Sequence, residues 1–204
     1  TLSPDNQKVA YVYQNNIYIQ NLSDGKIIQV TQDGEKNKII NGITDWVYEE
    51  ELGFVRAFEW NADGTSLAFL RFDETEVPEY TMAHYGEELY PETITFKYPK
   101  AGEKNSIVTL HLYDLTAQKT EKIDLGAYEY IAKIQWTNDK ELLTAQTLNR
   151  RQDDLKLIQI NRKNLQTKLL LNEKSDTYIN VRDYFTFLKD NSFIMSSERD
   201  GWEH

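Results

Sequence analysis

A chain of 204 residues is long enough for one large domain or two small ones. Hydrophobic residues make up 40% and aromatics 12%, which supports a packed core and excludes a disordered chain; tyrosine is the favoured aromatic, with 13 copies, and leans toward sheet. A formal charge of −10 argues against nucleic acid or an anionic membrane as partner, and the absence of cysteine excludes disulfides and thiolate metal sites.

The chain begins Thr1-Leu2-Ser3-Pro4-Asp5, which reads as a turn rather than a signal peptide, and no apolar run approaches the length of a membrane span. Both ends read as cuts through a longer protein. One pattern then recurs: a hydrophobic pair, a polar turn with Asp, and an alternating strand. It runs over Leu2–Val12, Phe58–Leu70, Ile134–Ala145 and Tyr184–Met195, with Asp5, Asp63, Asp139 and Asp190 in the turns. Asp, Asn and Gly at the centre suit a tight turn, and the flanks alternate as strands do.

Each of the first three copies is followed by a second strand pair: Asn16–Leu22 with Ile27–Val30, Ile107–Leu115 with Thr120–Ile123, and Leu155–Ile160 with Thr167–Leu171. Four-stranded units of roughly 40 to 50 residues along a chain are the signature of a β-propeller, against a run of separate meanders. The expected fold is therefore all-β, with blades over 1–45, 46–127, 128–175 and the start of another over 176–204. The second unit is the longest. Its excess, 76–105, is rich in Tyr, Glu and Pro, and is too apolar for a free linker.

Between the first and second units stands Asp45-Trp46-Val47-Tyr48-Glu49-Glu50-Glu51. Three adjacent carboxylates repel one another. Most such runs are solvated faces, and the alternative is a cationic partner. On that alternative Trp46 and Tyr48 anchor the backbone, and two glutamates hold a positive group in a cavity. An extended backbone would send Glu49 away from Glu50, leaving it structural or exposed. For Glu50 and Glu51 to reach one cation, a short helical turn is needed instead.

Other chemistry finds little support. There is no Gly-rich phosphate loop and no Gly-x-Ser-x-Gly elbow. His84, His111 and His204 lack metal-ligand spacing, so neither a metal nor a cofactor is expected; His111 reads as a packing or surface residue. Arg150-Arg151 could hold an anion, but a solvated hairpin is the plainer reading.

The acidic motif resembles the substrate-anchoring motif of the dipeptidyl peptidase IV family, serine exopeptidases of the prolyl oligopeptidase clan. The likeness extends to Asn41-Gly42-Ile43-Thr44 before it, and to Asp73–Pro78 and Tyr98–Gly102 after it, in the family's order. The resemblance implies roughly three to four blades of an eight-bladed ring, which the chain cannot close alone. It implies release of N-terminal Xaa-Pro or Xaa-Ala dipeptides, with Glu50 and Glu51 binding the free amine of the peptide. Asp45, Trp46, Tyr48 and Glu49 would support them.

The catalytic Ser-Asp-His belongs to a C-terminal α/β-hydrolase domain that this segment lacks, so the segment alone should be inactive. The segment 78–102 would form a homodimerisation arm. Arg182 and Tyr184 fall where the family has a substrate-facing loop, although the residues match poorly. An extracytoplasmic location, in a bacterial periplasm or at the cell surface, fits a version without cysteines. The competing reading is a non-catalytic propeller used for protein or glycan binding.

Overall fold

The computed structural model describes residues 1–181 and 184–204. A first antiparallel sheet holds β1 (Lys8–Tyr13), β2 (Asn16–Asn21) and β3 (Ile27–Gln29) in that order. Its fourth strand is reduced to a single bridge between Leu2 and Val9. In the second sheet, β6 (Ser66–Asp73) lies between β9 (Ile107–Asp114) on one side and both β4 (Ile39–Asn41) and β5 (Phe58–Trp60) on the other, with β10 (Lys119–Lys122) outermost. The third runs β11 (Tyr130–Trp136), β12 (Leu142–Leu148), β13 (Asp154–Asn161), β14 (Thr167–Lys174), and β15 (Phe185–Phe187) pairs with β16 (Phe193–Met195). The first three are blade-like meanders, as expected, and β15–β16 is a single antiparallel pair. β4 already pairs with the second sheet, ahead of the division placed at residue 45.

The recurring aspartates close their turns in one way. Asp5, Asp63, Asp139 and Asp190 each accept the backbone N–H two residues on, from Gln7, Thr65, Glu141 and Ser192. This Asx arrangement is why Asp recurs there. Beside the turns, Trp136 donates its indole N–H to the Glu59 carbonyl of the preceding sheet (3.1 Å), and Asn138 donates to the Leu188 carbonyl of the next (2.6 Å).

The core lies in the seams between sheets. Leu67 and Phe69 of β6 pack toward the first sheet, with Ile17 and Ile19. Ala68, Leu70 and Phe72 pack toward the third, with Ile131 and Leu143. A strand covered on both faces must be apolar at successive positions, and β6 is buried from Ser66 through Leu70. The insert forms a separate hairpin of β7 (Glu79–His84) and β8 (Glu92–Lys97), with β7 exposed along its length. Among the described residues, no helix is long and apolar enough to cross a membrane.

Candidate functional site

β4 and β5 are two halves of one edge strand. Gly42 donates its N–H to the Leu70 carbonyl, Ala57 donates to the Gly42 carbonyl, and Leu70 donates back to Ala57. The chain leaves β6 after residue 42 and rejoins it at residue 57, so 43–56 is an excursion from within the second sheet. The motif is thus not a linker between units, as its place in the sequence suggested. Gly42 is required at the exit. Its φ is +76°, and a Cβ there would meet Ile17 Cγ1 at 2.7 Å.

The tip of the excursion is α1 (Trp46–Glu51), a single helical segment. Asp45 is its N-cap, accepting the Tyr48 N–H at 3.0 Å. Gly53, with φ +72°, turns the chain out after Leu52, where glycine is favoured. The extended backbone on which Glu49 would alternate with Glu50 is therefore absent. All three glutamates are exposed, and Glu49 and Glu50 leave the helix as consecutive residues on its surface.

Three anchors hold this short helix. Tyr48 is only 2% exposed, and its ring meets Phe72 edge-on at 4.9 Å and Phe54 at 5.8 Å. Its hydroxyl accepts the Ile131 N–H of β11 at 2.9 Å, and burial holds its pKa well above the ordinary phenol value. Trp46 packs on Tyr98, just past the exposed hairpin, with ring centroids 4.3 Å apart. Asp45 is buried and also accepts the Ser106 hydroxyl at 2.5 Å. Burial raises its pKa while these two donors oppose the rise.

Glu51 opens onto a cleft of about 380 Å³ shared with Trp46, Tyr98, Lys100, Asn105, Tyr130 and Arg150; Glu50 does not line it. Arg150 is held within the cleft wall by Glu129 (2.8 Å) and the Glu103 carbonyl (2.6 Å). Asn105 links Glu129 to the Tyr130 hydroxyl. Among the described residues, Glu49, Glu50 and Glu51 form no ion pair, whereas Glu59, Glu76 and Glu129 each do.

Tyr184 is exposed just before β15, its carbonyl taking the Ser196 N–H; Arg182 lies outside the described residues. Ser106 and Tyr130 were not legible as site residues, because each reaches the helix from far along the chain. His111 packs on Phe69 (5.2 Å), as its strand position suggested.

The sequence model of the "Dipeptidyl peptidase IV (DPP IV) N-terminal region" matches residues 1–204. The crystal structure of Porphyromonas gingivalis dipeptidyl peptidase 4 superposes with a TM-score of 0.95 at 43% identity, covering 100% of this chain and 30% of that one. A probable dipeptidyl-aminopeptidase B of Pyrenophora tritici-repentis is 31% identical over all of this chain and 26% of its own length. The bovine prolyl endopeptidase FAP is 47% identical over 115 residues, 56% of this chain and 15% of its own. The chain thus spans about a third or less of these relatives. The strand pattern, the capped acidic helix and these matches together show that the chain belongs to the dipeptidyl peptidase IV N-terminal region family and forms part of its β-propeller.

Proposed function

We propose that this segment supplies the amine-binding element of a dipeptidyl peptidase IV-like serine exopeptidase. Glu50 and Glu51 take the charged N-terminus of a peptide, and the intact enzyme releases an Xaa-Pro or Xaa-Ala dipeptide. The observation that carries this reading is the pair of adjacent, exposed glutamates, without ion-pair partners among the described residues, on a helix fixed at Asp45, Trp46 and Tyr48. Acids held in place but left unneutralised suit an incoming cation.

A peptide amine has a pKa of about 8 and is largely protonated at neutral pH. Each carboxylate about 4 Å away contributes roughly 4 kcal/mol of gross attraction at an effective dielectric of 20, and less while water has access. An acylated N-terminus has neither the charge nor the three donors, so it is refused. With the amine fixed, the second peptide bond is the one presented to a nucleophile supplied by the rest of the enzyme. The exposed hairpin would serve as a dimer contact, and an extracytoplasmic location goes with this reading, supported by the chain's lack of cysteine.

The test is kcat/KM of the full-length enzyme on an Xaa-Pro arylamide, with and without an N-acetyl group. Losing one charged hydrogen bond of about 1.5–3 kcal/mol lowers kcat/KM by roughly ten- to 150-fold, so Glu50→Gln and Glu51→Gln should each fall in that range. Acetylation should add little further loss in the variants. Full activity in both variants overturns the assignment. Inactivity of the intact wild-type protein would favour the non-catalytic binding reading.

A further inference from the structure

We propose that Arg150 is a positioning residue for the amine-binding helix. It acts through a strap, residues 98–106, whose two ends touch the start of α1 and whose middle Arg150 clips to the third sheet. The inference rests on the amine-binding reading for its effect on substrate, but not for its effect on the helix.

A helix of six residues does not fix its own orientation. Tyr48 pins α1 from beneath, and one buried side chain is a pivot rather than a clamp. The strap supplies a second hold, on the first turn. At one end the Tyr98 ring packs on Trp46, with centroids 4.3 Å apart. At the other the Ser106 hydroxyl donates to Asp45 Oδ2 at 2.5 Å, with both residues buried. The Tyr98 end is backed by the hairpin: its N–H donates to the Pro78 carbonyl at 2.9 Å, and its ring lies 5.5 Å from that of Tyr80. Between the ends the strap turns at 100–103, where Glu103 donates its N–H to the Lys100 carbonyl (3.0 Å) and its carboxylate accepts the Lys100 N–H (2.7 Å).

Arg150 stands on the turn between β12 and β13, which Asn149 builds. The Asn149 side-chain carbonyl accepts the N–H groups of Asp153 and Asp154 at 3.0 and 3.1 Å, and its amide donates to the Asp153 carboxylate at 2.6 Å. From this post the guanidinium reaches two acceptors with two nitrogens: the Glu129 carboxylate at 2.8 Å and the Glu103 carbonyl, in the middle of the strap, at 2.6 Å. The same Glu129 oxygen accepts the Asn105 amide at 2.9 Å, and that amide also donates to the Tyr130 hydroxyl. Loss of Arg150 therefore removes the tie at 103 outright and leaves the carboxylate that holds Asn105 without its ion pair. Arg151, next along the chain, keeps 79% of its side chain exposed and pairs with Asp153 instead.

Charge and clip predict opposite signs. Arg150 and Glu51 line one cleft, so the guanidinium charge by itself weakens the field that draws in a peptide amine. Were charge its whole contribution, removing Arg150 would tighten substrate binding. A lost clip does the reverse. The first turn of α1 is then free to swing about Tyr48, and Glu50 and Glu51, the last two residues of the helix, are carried off the amine.

The experiment uses the full-length enzyme at neutral pH with two measurements: hydrogen–deuterium exchange over 98–106 and 44–52, and KM and kcat on an Xaa-Pro arylamide. In Arg150→Met, exchange over both segments should quicken, and KM should rise about three- to tenfold at unchanged kcat. Arg150→Lys keeps the charge but not the fork that reaches two acceptors. It should move both readouts the same way, and it decides the matter if Arg150→Met fails to fold. Arg151→Gln removes the neighbouring charge and should match the wild type in both. Exchange over 44–52 that stays at the wild-type rate in the Arg150 variants overturns the proposal, as does a KM that falls or holds in them while Glu51→Gln loses activity. Faster exchange over 44–52, with Glu50→Gln and Glu51→Gln both fully active, supports the hold on the helix and removes only the amine assignment.

Discussion

Tyr48→Phe isolates the tie between the glutamate helix and the third sheet. The substitution keeps the ring against Phe72 and Phe54 and removes one atom, the hydroxyl oxygen that accepts the Ile131 N–H at 2.9 Å. Ile131 is fully buried, and β11 is irregular between Ile131 and Lys133, so no water or ladder partner stands ready to replace that oxygen. Leaving a buried donor unpaired costs about 1–3 kcal/mol. With a urea dependence of about 1–3 kcal/mol per molar, toward the upper end for a chain this long, the midpoint should fall by roughly 0.5–1 M at unchanged slope. Urea unfolding followed by far-UV circular dichroism reads this directly. Tyr48→Ala, which also empties the ring site, should cost about 3–5 kcal/mol. A midpoint for Tyr48→Phe within error of the wild type, with Tyr48→Ala strongly destabilised, would mean that the ring alone holds α1 and that the hydroxyl bond is incidental.

Other expectations follow from the same geometry. Gly42→Ala forces a Cβ against Ile17 in a left-handed backbone, so it should destabilise by about 2–4 kcal/mol in the same assay, through strain plus overpacking. His111 is held neutral by burial and nearby Arg71, its pKa lowered from 6.5 to about 4. Between those values the unfolded chain binds more protons, so stability falls as pH drops through the window, by up to about 3 kcal/mol, less where solvent reaches the ring. His111→Gln should flatten that limb in melting curves taken from pH 7 to 4. On the hairpin, Tyr85, Leu89 and Tyr90 are 80%, 88% and 79% exposed; on the proposal that the hairpin is a dimer contact, light scattering should give a dimer mass for the full-length protein and a monomer mass once all three are replaced with Ser.

The meanders could be read in the sequence because their signals are local. Asp63 and Gly64 specify their turn within a few residues, and the unbroken run Leu67–Leu70 announces a strand covered on both faces. The β7–β8 pair was read only as a Tyr- and Pro-rich insert, although Tyr80, Met82, Ile94 and Phe96 alternate with Thr81, Thr93 and Thr95 as strand residues do, and Tyr80 pairs with Phe96 across the hairpin. The six residues of α1 are too few for helical periodicity to register, and its strongest local sign, the cap by Asp45, was overshadowed by the charge of the three glutamates. The split of one edge strand into β4 and β5 was invisible, since only pairing with β6 reveals that residues on either side of the motif are neighbours. Ser106 escaped notice for a related reason: it meets Asp45 across a fold that the chain crosses only after completing the motif.

Because the chain departs from β6 and returns to it at touching residues, the stretch between them behaves as a removable cartridge. Its two ends are already joined by the Ala57–Gly42 hydrogen bond, so a shorter or chemically different insert could be fitted without shifting the register of β6. Tyr48 is the stretch's most deeply buried side chain, with Val47, Leu52 and Phe54 packed beside it and Asp45 bonded to Ser106, and any replacement would have to bring a plug of similar shape and polarity. A scaffold built this way can exchange what it recognises while leaving the surrounding sheets untouched.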